Sequence, residues 1–151
     1  MRYAVAIAAL LCAAQAWAGD VTVSGAWTRA TAPGQEGAAL QFSITSKKEA
    51  QLVAISSPVA GAVEIHRMTH DNGVMKMRAI ESLPLPADKA VDLGASGVHV
   101  MLLSLKRPLK AGESIPFTVT VQLANKHKAT VKARAEVKPL TASHDEHEHH
   151  N

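Results

Sequence analysis

From Val21 onward, apolar and polar positions alternate or gather into short β-branched runs, and no stretch sustains a helical period. The pattern predicts strands at Val21–Ala26, Ala39–Thr45, Gln51–Ser56, Ala62–Met68, Val74–Ile80, Val98–Leu105, Ile115–Val121 and Lys128–Val137. Turn formers separate them: Ala32-Pro33-Gly34, Ser57-Pro58, Asp71-Asn72-Gly73, Pro84 with Pro86, Leu93-Gly94, Pro108 and Ala111-Gly112. Short strands punctuated about every ten residues predict an all-β sandwich or barrel with little helix. Internal repeats are not evident.

The two ends differ from this body. Arg2 precedes an apolar run from Ala4 to Ala14 that closes on Ala16-Trp17-Ala18, the order of a secretory leader with cleavage before Gly19. The run falls short of the ~20 residues a spanning helix needs, so residues 1–18 are read as a signal peptide rather than an anchor. After Pro139-Leu140 the chain loses its hydrophobic pattern, and residues 141–151 are read as a disordered tail holding His144, His147, His149 and His150. One folded domain, residues 19–140, lies between them.

Composition narrows the function. Of 16 basic residues only Arg2 lies outside 19–140, while three of 13 acidic residues lie in the tail, so the body carries 15 and 10. That mild excess, with 3% aromatic residues and no dense basic cluster, lacks the stripe or stacking platform of a nucleic-acid binder. The single cysteine, Cys12, leaves with the leader, so the exported chain has neither a disulfide framework nor a thiolate metal site. What stands out is eight His and five Met in 151 residues.

Two His-x-Met pairs occur, His66-Arg67-Met68 and His99-Val100-Met101. In a strand, residues i and i+2 share a face, so each pair can present an imidazole beside a thioether. Val63 and Ile65 would face the core, leaving Glu64, His66 and Met68 on the outer face. Asn72-Gly73 is a strong two-residue turn signal. Closing there would set Met68 opposite Met77 and His70 opposite Met75, bringing Met77 onto the face of His66 and Met68. Thioether sulfur is a soft, uncharged donor suited to Cu(I), and imidazole also accepts it; zinc would favour thiolate or carboxylate instead. Such neutral donors can hold a monovalent ion and still release it to a stronger site, which is the chemistry of a carrier.

At this point the sequence resembles the periplasmic PCu(A)C copper chaperones. His66, ten residues, Met77, twenty-one residues, His99, one residue and Met101 reproduce that family's ligand motif. The likeness extends to the leader, to the Gly25–Gly34 opening with Trp27, Arg29 and Pro33-Gly34, and to Leu83-Pro84-Leu85-Pro86. It continues through Gly97–Leu105 and Leu109–Gly112. The resemblance implies a cupredoxin-like Greek-key β-sandwich binding Cu(I) through His66, Met77, His99 and Met101, with Met68 as an alternative ligand. It implies delivery to the binuclear copper centre of a haem–copper oxidase (the copper domain of subunit II), often beside a thiol-bearing partner chaperone. It further implies Cu(II) binding by His144, His147, His149 and His150 in the tail.

Blander readings apply elsewhere. Met75 alone would be packing, and His70 and His127 solvated loop residues. Glu64, Arg67 and Lys76 read as solvated face positions, and Asp71 as part of the turn. No G-x-S-x-G elbow or H-E-x-x-H helix points to an enzyme, and a blue-copper carrier would need a cysteine thiolate. The competing function is a structural Ig-like assembly or adhesion module without metal.

Overall fold

The computed structural model describes residues 16–141. Residues 1–15 of the expected leader and residues 142–151 of the expected tail, with its four histidines, lie outside the described residues. Eleven strands run along the described chain: β1 (Ala16–Ala18), β2 (Val21–Arg29), β3 (Gly37–Ser46), β4 (Ala50–Ser56), β5 (Ala60–Asp71), β6 (Val74–Ile80), β7 (Leu83–Leu85), β8 (Ala90–Leu93), β9 (Val98–Leu105), β10 (Ser114–Leu123) and β11 (Lys128–Lys138). Every strand expected from the alternation is present, and the chain is all-β as expected. None of the described residues forms a helix long and apolar enough to cross a membrane.

Alternation along the strands builds the core. β10 buries Ile115, Phe117, Val119 and Val121 while its intervening residues face outward, and β3 does the same with Ala38, Leu40, Phe42 and Ile44. The hydrogen-bonded order is β6-β5-β9-β3-β2-β11-β10-β4-β7, with β1 added to β2 and β8 to β3. Phe42 of β3 and Phe117 of β10 lie three steps apart in that order, yet their ring centroids are 5.3 Å apart. The ladder therefore doubles back on itself, and the two inner faces close on one core. Sequence-distant strands sit side by side, β9 between β5 and β3 and β11 parallel to β2, as in a Greek key.

Three local features shape this frame. The register between β2 and β3 shifts between Ser24 and Trp27, and Gly25 there has φ +61°, which a glycine adopts without strain. Beyond that bulge, Trp27–Arg29 pair with β11. The segment read as a turn from Pro84 and Pro86 contains instead the short strand β7, with Leu83 and Leu85 buried. Among the described strands only β4 pairs with β7, which makes it an edge strand there, where a proline's missing N–H is tolerated. Last, β1 places Ala16–Ala18 against Val21–Val23, so cleavage before Gly19 would remove a three-residue edge strand.

One ion pair gives the fold a pH dependence. Glu113 Oε1 accepts hydrogen bonds from the Lys110 backbone N–H and the Arg107 guanidinium, each at 2.8 Å. These hold its carboxyl below the ordinary value of 4.5, against a weaker opposing effect of burial. The folded chain thus binds this proton less readily than the unfolded chain. Its stabilisation is complete above pH 4.5 and is lost as pH falls through the lowered folded value. Glu113→Gln should flatten this part of the acid sensitivity, read as urea midpoints from about pH 6 to about pH 3.

Candidate metal centre

The centre is built on three adjacent strands, β6, β5 and β9. Asn72 and Gly73 both have positive φ (48° and 76°), as a two-residue hairpin turn of the type suited to strand twist requires. The hairpin closes in the expected register: Asp71 opposite Val74, His70 opposite Met75, Met68 opposite Met77 and His66 opposite Ala79. On its other edge β5 pairs with β9, which sets His66 opposite His99 and Glu64 opposite Met101. Directly opposed residues share a face, with Cβ atoms about 5 Å apart. Glu64, His66, Met68, Met77, His99 and Met101 therefore share one outer face.

The register also defines the centre of the group. His66 faces His99 directly, and Met77 and Met101 are both its diagonal neighbours, on opposite sides of the His–His row. Met68 lies one step along β5 on the Met77 side. Small residues line the margins: Ala79 beside His66, Ala39 beside Met101, and Gly97, whose carbonyl accepts from the Met68 N–H at 2.9 Å. No long side chain from these positions covers the imidazoles and thioethers. Beneath them, the opposite face of the same strands buries Ile65, Val98, Val100 and Leu102. His66, His99 and Met101 thus stand on a packed floor rather than on a loop, which limits how far each can move, whereas Met77 is carried by β6, whose residues Val74 to Ala79 are exposed.

Burial grades along the face. His66, His99, Met68 and Met101 are half-buried, whereas Met77 is 45% exposed. Among the described residues, no three His, Cys, Asp or Glu side chains gather in one place to hold an ion by themselves. Ion binding on this face would draw on the methionine sulfurs, whose softness selects a soft monovalent ion over zinc or a hard divalent cation.

One participant escaped the sequence reading. Glu64 is not merely a solvated face residue: its Oε2 lies 2.7 Å from His66 Nε2. A carboxylate only accepts, so in the neutral imidazole this bond keeps the proton on Nε2 and leaves the Nδ1 lone pair free. A carboxylate behind a ligating histidine orients the ring and strengthens it as a donor. The signal available was Glu64's position two residues before His66 on the same strand face. Glu64→Gln should weaken soft-ion binding about tenfold, the low end for such partners because the Glu64 side chain is 45% exposed. A competition titration with unchanged affinity would return Glu64 to the solvated class. Lys76, also read as solvated, pairs with Asp71 at 3.2 Å on the opposite face of the hairpin.

Comparison with known proteins identifies the family and the fold. Residues 21–134 match the family model described as putative lipoprotein LpqE-like. A putative lipoprotein of Leifsonia xyli subsp. xyli is 33% identical over 103 residues, 68% of this chain and 62% of that protein. An uncharacterized protein of Rickettsia prowazekii is 34% identical over 98 residues, 61% of this chain and 54% of that protein. The chain thus spans less than two thirds of the length of either relative. Among solved structures, the apo PmoF2 PCuAC domain superposes with a TM-score of 0.65 at 19% identity, covering 85% of this chain and 98% of that one. The copper-bound PCuAC domain from PmoF2 gives 0.61 at 19% identity, covering 82% and 97%. The solution structure of CuI-DR1885 from Deinococcus radiodurans gives 0.55 at 30% identity, covering 76% and 75%. The chain belongs to the LpqE-like family, and its cupredoxin-like sandwich is that of the PCuAC domains.

Proposed function

We propose that this protein is an exported copper chaperone, not an enzyme, and that it carries Cu(I) on His66, Met77, His99 and Met101, with Met68 as an alternative sulfur. The observation that carries the reading is the register: it stands two imidazoles side by side on an outer sheet face, with thioethers on both flanks. Four uncharged donors leave the ion's single positive charge uncompensated except by nearby Glu64, which suits temporary holding. Partial exposure of the sulfurs gives a recipient access to the ion. Support comes also from the likeness to a copper-bound PCuAC domain and to CuI-DR1885. In this reading residues 1–18 direct export to the periplasm and are removed, and the family's lipoprotein description is in keeping with an exported protein. The recipient is a copper enzyme, the binuclear copper centre of a haem–copper oxidase, with a thiol-bearing chaperone as a further partner. His144, His147, His149 and His150 add a Cu(II) site. Anaerobic Cu(I) titration tests the core claim: one tight site is expected, weakened in each of His66→Ala, Met77→Ala, His99→Ala and Met101→Ala. Wild-type affinity in all four variants would leave a structural module without metal.

A further inference from the structure

The β5–β6 hairpin continues past the centre just described. Ile65 is the last buried residue of β5, and beyond the His66–His99 row β5 keeps one more partner in β9, Arg67 opposite Val98, and a bond from Met68 N–H to the carbonyl of Gly97 just before β9. From there to the turn at Asn72-Gly73, β5 and β6 pair only with each other among the described strands, as a two-stranded ribbon. Its two faces differ in chemistry. One carries Arg67, Thr69, Lys76 and Arg78, with the Lys76–Asp71 ion pair near the turn. The other carries Met68 opposite Met77 and, one row further out, His70 opposite Met75.

That outer row has no packing role. Of the four large hydrophobic side chains exposed among the described residues, three (Val74 at 56%, Met75 at 54% and Met77 at 45%) are on this hairpin. A methionine held in water gives up the burial that stabilises an apolar side chain. Here two of them lie in successive rows of one face, each directly opposite a residue with a soft donor. His70 is exposed and makes no side-chain hydrogen bond or ion pair among those found for the described residues, so its ring nitrogens face no competing partner.

We propose that His70 and Met75, with Met68 as the shared inner sulfur, form a second, weaker Cu(I) site at the hairpin tip that loads and unloads the main centre. This rests on the copper-carrying reading above. Cu(I) is satisfied by two or three soft donors, and His70 Nδ1 or Nε2, Met75 Sδ and Met68 Sδ supply a neutral set. Successive same-face rows are about 7 Å apart, so Met68 stands between the two sites. Transfer inward is ligand exchange without redox: the copper stays +1, bonds to His66 and Met77 form as those to His70 and Met75 break, and Met68 bridges the exchange. No proton is transferred, because both imidazoles bind in the neutral form. Fewer donors and greater exposure make the outer row the weaker site, so copper runs inward when the centre is empty.

The test is methyl NMR of the full chain labelled with 13C at the methionine methyls, titrated anaerobically with Cu(I) as its acetonitrile complex. The expected result is two phases. Met77 and Met101 methyls shift with the first equivalent, and the Met75 methyl shifts in a second step at least tenfold weaker. The double variant His70→Gln with Met75→Leu should abolish the second step and keep the first. It should also slow loading from a chelated Cu(I) donor several-fold. A Met75 methyl that stays fixed while Met77 and Met101 saturate overturns the outer site and leaves the carrier reading standing. Unchanged loading kinetics in the double variant overturn its role in transfer. If Met75 responds while Met77 and Met101 do not, the outer site stands and the reading of the main centre falls. If no methionine methyl responds, both fall.

Discussion

Replacing His66 and His99 together by alanine is expected to weaken Cu(I) binding about a thousandfold or more while barely changing resistance to urea. A four-ligand structural zinc site is worth ~10–16 kcal/mol, so one ligand carries about 2.5–4 kcal/mol. Neutral donors to a monovalent ion belong at the lower end. Two of them then carry about 5 kcal/mol, and each 1.4 kcal/mol is tenfold in affinity. The loss should exceed that of any single variant, because His66 is the direct or diagonal neighbour of every other donor in the set. Met77→Ala should cost least, since Met68 stands directly opposite and can supply a sulfur in its place. Combining Met77→Ala with Met68→Leu should remove that compensation. Both histidines lie on the outer face, away from the buried side of β5 and β9, so the double variant's unfolding free energy should change by about 1 kcal/mol or less. Chelator competition and urea unfolding on the same samples separate the two effects. A double variant that binds copper within a few-fold of wild type would refute the assignment of these imidazoles.

Phe117→Ala should do the reverse, costing about 3–5 kcal/mol of stability. Phe117 is 1% exposed and Phe42 2%, and the tilted pair, centroids 5.3 Å apart, joins strands on the two facing layers. Truncation removes the transfer free energy of the ring and leaves a cavity that flanking Leu40, Ile44, Ile115 and Val119 are too constrained to fill. With ~5–15 kcal/mol typical of a domain this size, much of the total stability would go. Copper affinity of the fraction still folded should stay close to wild type, because the donors stand on the opposite face of the sheet. A loss under about 1 kcal/mol would mean that the two layers do not close where these rings meet.

Most of the fold was legible in the sequence, because strand formation and facing follow from period-two alternation, which is local. The eight expected strands appear, and Val63 and Ile65 turn inward while Glu64, His66 and Met68 turn outward. The hairpin was legible for the same reason: Asn72-Gly73 accepts positive φ at both positions, and that fixes the pairing of Met68 with Met77. Leu83–Leu85 was read as a turn because its prolines carry a turn signal. Only its place at a sheet edge, settled by non-local pairing with β4, makes it a strand.

By itself, then, the sequence determined which residues lie on one strand face and which two strands form the hairpin. The tertiary structure alone decided that β9 lies against the free edge of β5 in the register that opposes His66 to His99. Between Met77 and His99 the chain makes two excursions, pairing β7 with β4 and β8 with β3, before it returns. Periodicity carries no information about which distant strand comes back alongside, since that is selected by burying Ile65, Val98, Val100 and Leu102 together in one core. The bond from Glu64 to His66 belongs between these cases: their shared face could be read from spacing, but their contact depended on how the face was packed.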